Sequence, residues 1–337
     1  MIVFSSSKYF EQIYKALTKA DFKIDSLVSE CPKPAGRGLK ICPNPAQIFA
    51  EKINLPVITD LKYLPNYKLQ TTNYKPFDLG LIFAYGQIIP DKIIEKFKYG
   101  ILNIHPSLLP KYRGPTPLQT ALLNGDQKTG FSIIKICGKC DAGDIIFQEE
   151  VEITLEDDCG NLMEKVMKNA IAALPKVCQK YISGESQPVE PRRQESAAPP
   201  VLRRAEPSEA HPPSPRLRGD YPVRIHPQTG VWGVLRRRVK QNESEATYTK
   251  KLNKSDGLIS RNDNAQTTLN KIRAFSIWPK AYLMIDGKKI IFYSGKIENG
   301  KLAIGEIQMA GKNRMSFSQF KNGYGELLTK MPDFVKV

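Results

Sequence analysis

The chain has 337 residues, room for two domains at roughly 100–200 residues each, and its 41% apolar and 25% charged residues are those of a globular protein with a sizeable core. A net charge of +16 points to a polyanionic partner, nucleic acid first. No apolar run approaches the ~20 residues that cross a bilayer. Six cysteines are too sparse for a disulfide scaffold, and residues 1–6 lack the basic and apolar regions of a secretory signal. A cytoplasmic protein is expected, with no membrane partner.

Residues 2–4 read as a short buried strand, and 8–19 as a helix with apolar residues at Phe10, Ile13, Tyr14 and Leu17. A second strand is expected at 22–28, a helix at 45–52 and a short strand at 56–58. The apolar run 78–84 reads as a strand ending in Tyr85-Gly86, 91–97 as a short helix and 100–104 as another strand. A helix at 118–123, a strand at 129–136 and a long helix at 158–181 close this region. Such alternation predicts an α/β domain with a mainly parallel, helix-covered sheet and its chemistry beyond the C-terminal strand ends.

The composition then changes abruptly. Ten of the 15 arginines and ten of the 25 prolines lie within 183–240, whereas only Lys240 of the 35 lysines does. Neither a 3.6 nor a 2 period is visible there, so 183–244 is expected to be a disordered Pro/Arg-rich linker carrying an insertion. An arginine-rich RNA-binding arm over 234–240 is the functional alternative. From 245 on, a helix is expected at 268–275, then strands at 281–285 and 288–293 joined by Asp286-Gly287, a strong two-residue hairpin signal. A turn at Glu298-Asn-Gly300 and a strand at 301–309 complete a small OB-like β-barrel. Residues 241–337 alone carry +7, the most basic part that also reads as folded.

Outside the middle segment the only histidine is His105, at the end of the strand 100–104. Asn103 and His105 are two residues apart and share a strand face. Asp141-Ala-Gly-Asp144 supplies carboxylates after the next strand. An acid, an imidazole and a carboxamide suit acyl transfer: the His handles protons, the carboxamide donates to a developing oxyanion and the acid orients the His. By spacing alone, His105 is equally a hydrogen-bonded turn residue. Cys137-Gly-Lys-Cys140 is a lone C-x-x-C with no further ligands beside it, and no metal is expected. No GxGxxG phosphate cradle is present.

The longer string Asn103-Ile-His105-Pro-Ser-Leu-Leu-Pro110, Tyr112-Arg-Gly114, Pro117, Thr129-Gly130 and Asp141-Ala-Gly-Asp144 resembles the signature of the folate-dependent formyltransferases. Pro34-Ala-Gly-Arg-Gly-Leu-Lys40 is similar to the basic loop with which tRNA-acting members enter the acceptor stem. Thr247 to Leu252, Ala274-Phe275 with Trp278-Pro279, and Ala310-Gly-Lys312 with Met315-Ser316 resemble their C-terminal barrel. The resemblance implies a Rossmann-like formyltransferase domain over 1–182 and a basic tRNA-binding β-barrel over 245–337. It implies Asn103, His105 and Asp141 as the catalytic group. Ser107, Leu108, Leu109 and Pro110, with Tyr85 and Gly86, would bind folate, and Arg37, Lys40 and Lys33 would bind tRNA. The implied reaction moves the formyl group of 10-formyltetrahydrofolate to initiator methionyl-tRNA, in a monomer and without a metal. A sugar-nucleotide formyltransferase, or an inactive RNA-binding homologue, are the alternatives. One departure is visible: Ser6 stands where the family has glycine in its first turn.

Overall fold

The computed structural model describes residues 1–35, 38–66, 77–184, 223–224 and 232–335. β1 (Ile2–Ser5) is buried on both faces, with Val3 in one apolar cluster and Ile2 and Phe4 in the other. α1 (Phe10–Lys19) lays Phe10, Ile13 and Leu17, spaced three and four apart, against the sheet. There follow β2 (Ser26–Val28), the hairpin of β3 (Lys33–Ala35) and β4 (Lys40–Cys42), α2 (Pro45–Lys52) and β5 (Val57–Ile58). α2 starts where it does because Asn44 and Gln47 cap each other's main-chain N–H groups. Next come β6 (Gly80–Phe83), α3 (Asp91–Ile94), β7 (Ile101–His105), α4 (Pro117–Asn124), β8 (Lys128–Lys135), β9 (Ile145–Glu152) and α5 (Cys159–Ser183).

These strands share one nine-stranded sheet with β10 (Val223–Arg224) and β11 (Trp232–Val239), in the order β10-β11-β9-β8-β7-β6-β1-β2-β5. From β5 to β7 every neighbouring pair is parallel; from β7 to β10 every pair is antiparallel. The parallel half matches the expectation. β9 was not expected at all, because its Gln148-Glu149-Glu150 stretch breaks the apolar pattern.

The linker expectation is corrected at its C-terminal end. Residues 232–239 form β11, which pairs with β9 through Val234–Gln148, Leu235–Phe147 and Val239–Ile145. A strand paired on both sides, here with β9 and β10, is held by main-chain bonds, which composition does not report, and in the sequence three consecutive arginines obscure Trp232, Val234, Leu235 and Val239. Ser183 ends α5, Val223–Arg224 form β10, and Gln241 and Glu243 bond Arg113, so these parts of the expected linker are ordered too; residues 185–222 and 225–231 lie outside the described residues.

The C-terminal unit opens with α6 (Ala265–Ala274). β12 (Ala281–Ile285), β13 (Lys288–Phe292), β16 (Glu306–Met309) and β17 (Met315–Ser316) form one antiparallel sheet, and β14 (Gly295–Glu298) pairs with β15 (Lys301–Ile304). α7 (Phe317–Gly323) and α8 (Gly325–Leu328) pack on Leu283, Ile290, Phe292 and Ile307. Asp286 and Gly287 both have positive φ, 50° and 72°, as a two-residue turn between twisted strands requires. The strand expected over 301–309 breaks at Gly305, where the chain passes from β15 to β16.

The two units interlock through α6. Ala274 and Phe275 belong to the core of the first unit. Arg273 donates from Nε to the Asp157 carbonyl at 2.6 Å, and Asn270 donates to the Leu123 carbonyl at 3.2 Å. Among the described residues, no helix is long and apolar enough to cross a membrane.

Candidate active site

On β7 the side chains alternate. Leu102 and Ile104 enter the main core, whereas Ile101, Asn103 and His105 face the other way. On β8, Phe131 and Ile133 likewise enter the core, which leaves Ser132 beside His105 on the opposite face. On β9, Gln148 sits next to Ser132. The antiparallel half therefore carries a row of polar side chains on one face.

Asp141 reaches this row by an indirect route. β8 runs antiparallel to β7, so its end lies beside Leu102, and the loop 136–144 folds back across the face. Asp141 Oδ1 accepts from Asn103 Nδ2 at 3.3 Å, and Oδ2 accepts from the Gly114 N–H at 2.8 Å. His105 Nδ1 lies 3.6 Å from Asp141 Oδ2, and Nε2 lies 2.9 Å from the Tyr112 carbonyl. A carbonyl can only accept, so Nε2 carries a proton. The neutral ring then turns a lone pair towards Asp141, and protonation at Nδ1 makes an imidazolium facing a carboxylate. The sequence expectation for these three residues thus meets a compact cluster with His105 buried.

The segment after His105 is pinned by groups the sequence reading did not single out. Ser132 Oγ donates to the Ser107 carbonyl at 2.6 Å and accepts from the Leu109 N–H at 3.0 Å. Gln148 Nε2 donates to the Leu109 carbonyl at 2.7 Å and to Ser132 Oγ at 2.8 Å. Ser107 is itself buried and its hydroxyl donates to the Lys111 carbonyl at 2.7 Å. Leu109 is buried, while Leu108 and Pro110 are half-buried.

Tyr85 and Gly86 follow β6, whose C-terminal end neighbours that of β7. The Tyr85 ring is only 2% exposed and packs edge-on against Phe4, at 5.7 Å between centroids. Burial, then the charge of Glu30, push its hydroxyl up to about 12. The ring is a core group and Gly86 beside it is exposed, so at this edge the chain presents main chain rather than the phenol. Ser6, the departure in the first turn, is absorbed locally: its hydroxyl accepts the Glu30 N–H at 3.1 Å and its own N–H donates to the Ala84 carbonyl.

Lys33 and Lys40 stand at opposite ends of the β3–β4 hairpin pairing, and Lys33 pairs with Glu30 at 2.9 Å. Arg37 lies outside the described residues. The hairpin follows β2, which is parallel to β6 and β7, so it emerges on the edge of the sheet where β7 ends. Leu39 and Ile41 on the same hairpin are exposed.

Cys137 and Cys140 are both exposed, and Cys140 Sγ donates to Asp141 Oδ2 at 3.5 Å. Although the residue is exposed, partial desolvation of its sulfur, then the neighbouring Asp141 charge, raise the Cys140 thiol to about 11, which disfavours its thiolate at neutral pH. Among the described residues no group of three or more His, Cys, Asp or Glu side chains converges to hold a metal ion.

The chain matches known proteins in both units. The formyl transferase family matches residues 1–178, and the formyl transferase C-terminal domain matches residues 251–301. A methionyl-tRNA formyltransferase of Sulfurihydrogenibium sp. (strain YO3AOP1) is 31% identical over 323 residues, which covers 95% of this chain and 87% of that protein. The structure of methionyl-tRNA formyltransferase from Clostridium thermocellum superposes with a TM-score of 0.50 at 18% identity, covering 91% of this chain and 96% of that one. HypX from Aquifex aeolicus in complex with tetrahydrofolic acid superposes with a TM-score of 0.53 at 14% identity, covering 95% of this chain and 46% of that one. The two structures share the fold, and the sequence matches extend through both units: the chain belongs to the formyl transferase family, alongside the methionyl-tRNA formyltransferases that it matches over nearly its whole length.

Proposed function

We propose that this protein transfers the formyl group of 10-formyltetrahydrofolate to the α-amino group of initiator methionyl-tRNA. The observation that carries this reading is the convergence of Asn103, His105 and Asp141 on one face of β7 in a chain that matches a methionyl-tRNA formyltransferase through both units. The folate cosubstrate supplies an activated formyl carbon. The residues of this chain do the rest. An amine attacks only as its neutral form, and the Asp141 carboxylate, held by the Gly114 N–H, accepts the proton it sheds. Negative charge develops on the formyl oxygen. The second N–H of the Asn103 carboxamide and the His105 imidazolium oppose that charge. The proton then returns to the carrier nitrogen as it leaves.

The carrier is assigned to the edge formed by Ser107, Leu108, Leu109 and Pro110 with the main chain of Tyr85 and Gly86. The fit rests on a backbone fixed by Ser132 and Gln148, whose bonds to Ser107 and Leu109 hold the shape of this edge. The tRNA is assigned to the hairpin bases Lys33, Arg37 and Lys40 and to the basic C-terminal unit. Arg37→Ala is expected to lower kcat/KM for methionyl-tRNA by about 10-fold or more while leaving the folate KM unchanged, as a contact to one substrate only should.

The deciding experiment offers the purified protein 10-formyltetrahydrofolate with charged initiator tRNA, charged elongator tRNA and an amino-sugar nucleotide. Formyl-methionine is expected on the initiator tRNA. Transfer to the amino sugar alone, or to none of the three, overturns the reading.

A further inference from the structure

Among the described residues Arg113 is the largest fully buried side chain, 1% exposed, and it serves no role in the reaction above. Its five N–H groups are all used. Nε and Nη2 donate to Gln241 Oε1 at 3.0 and 2.8 Å, Nη1 and Nη2 to the two carboxylate oxygens of Glu243 at 3.0 and 2.9 Å, and Nη1 also to the Tyr248 hydroxyl at 3.0 Å. All three partners lie more than 120 residues away in sequence, beyond β11. Their segment is laid beside 110–116 by main-chain bonds from Arg113 to Thr247 and from Thr249 to Arg113.

Gln241 is saturated in turn. Its oxygen takes two bonds from Arg113, and its Nε2 donates to the carbonyls of Asp141 at 2.7 Å and Gly143 at 2.8 Å. Those carbonyls belong to the loop that carries the catalytic carboxylate, and that loop is strained. Asp141 has φ +48°, a left-handed backbone uncommon for a residue with a side chain. At Gly143 a Cβ would stand 1.7 Å from the Lys135 carbonyl, so the loop fits only with glycine there. A strained conformation persists where its surroundings over-determine it.

We infer that Gln241, locked by Arg113, is a positioning residue: it holds the 141–143 loop so that the Asp141 carboxylate sits against Asn103 and His105. The inference rests on the formyl-transfer reading for its kinetic arm. A buried guanidinium with every donor used cannot rotate, and it fixes the carboxamide with Nε2 aimed at the loop. The segment that follows β11 thereby completes the cluster of Asn103, His105 and Asp141.

Gln241→Glu separates positioning from packing. The carboxylate keeps the shape and the bonds from Arg113 but cannot donate to the two carbonyls, and it repels them. We expect kcat to fall about 10- to 100-fold with both substrate KM values within about threefold, the pattern of a displaced catalytic group. Amide hydrogen exchange over 140–144 should accelerate in the absence of substrate, with thermal stability close to wild type. Gln241→Met, equal in length and without hydrogen bonds, should lose kcat similarly and also lower Tm, because it strands Arg113 donors. A wild-type kcat and unchanged exchange in Gln241→Glu would overturn the inference, as would a kcat loss confined to Gln241→Met. If the wild-type protein itself fails to transfer formyl groups, the function proposed above falls. The exchange measurement then decides this inference alone, faster exchange supporting the clamp and unchanged exchange overturning it.

Discussion

The two halves of the central sheet are made of the same chain but solve different problems. In the parallel half, β1 is apolar on both faces and helices or apolar segments cover both, as parallel sheets require. In the antiparallel half, β7 and β8 turn apolar side chains to the core on one face and Asn103, His105 and Ser132 to the other. A polar face cannot be covered by an apolar helix at tolerable cost, so it is covered by loops whose own polar groups answer it. The polar row lies where the sheet changes from parallel to antiparallel pairing, at β7.

The sharpest way to break this comparison is to make one truncation in each half. Phe4→Ala should cost about 3–5 kcal/mol of stability as a core cavity, with kcat per folded molecule little changed. Asn103→Ala and His105→Ala should do the reverse, lowering single-turnover transfer about 100- to 1000-fold with Tm nearly unchanged. Denaturation curves alongside transfer assays check both. If Asn103→Ala unfolds the protein as Phe4→Ala does, the polar face is structural.

Ser132→Ala tests the intermediate case, a buried polar group that supports the site without touching substrate. It strands the Leu109 N–H and should cost about 1–3 kcal/mol. It should also raise the folate KM more than it lowers kcat, since it loosens 107–109 and not Asp141. A kcat loss equal to that of Asn103→Ala would place Ser132 in the chemistry.

Two carboxylates sharpen the comparison through pH. Burial works to raise Asp157, but the Lys165 ammonium at 2.7 Å and the Thr154 N–H hold it below its ordinary 3.8. Its stabilisation is present above that value and is lost as pH falls through the folded one. Asp157→Asn should therefore lower Tm at pH 7, with the difference closing below about pH 3.8. Because Arg273 of α6 bonds the Asp157 carbonyl, loosening this loop should also speed proteolysis between the two units.

Glu149 has the opposite sign and the smallest effect. Burial on the core face of β9 holds its carboxyl above the ordinary 4.5, opposed by a bond from Asn169. Wild type then loses stability as pH rises through the interval above 4.5. Glu149→Gln removes that loss, so its Tm should exceed wild type at pH 8 and approach it near pH 4.5. A lower Tm at pH 8 would mean that the charged form is paired.

The residues most legible in the sequence were those whose role is local. Asn103 and His105 share a strand face by spacing alone, Asp286-Gly287 makes its turn from two adjacent residues, and Phe10, Ile13 and Leu17 mark a helix face. β9 was missed because Gln148 and Glu149 look like surface residues. Gln148 reaches a main-chain carbonyl of the 107–109 segment, and Glu149 is buried at a cost that composition does not show.

Legible in the amino-acid sequence were the α/β alternation, the basic unit of one helix and several short strands after it, and the candidate trio Asn103, His105 and Asp141 through a motif string. Periodicity and short motifs are properties of neighbours along the chain. Decided by the fold were the change of direction in the sheet, the strands β10 and β11 inside the expected linker, and the bonds from Arg113 to Gln241, Glu243 and Tyr248. Each joins main-chain or side-chain groups far apart in sequence, and their energies depend on burial and on donor–acceptor distances of about 3 Å that no local pattern encodes.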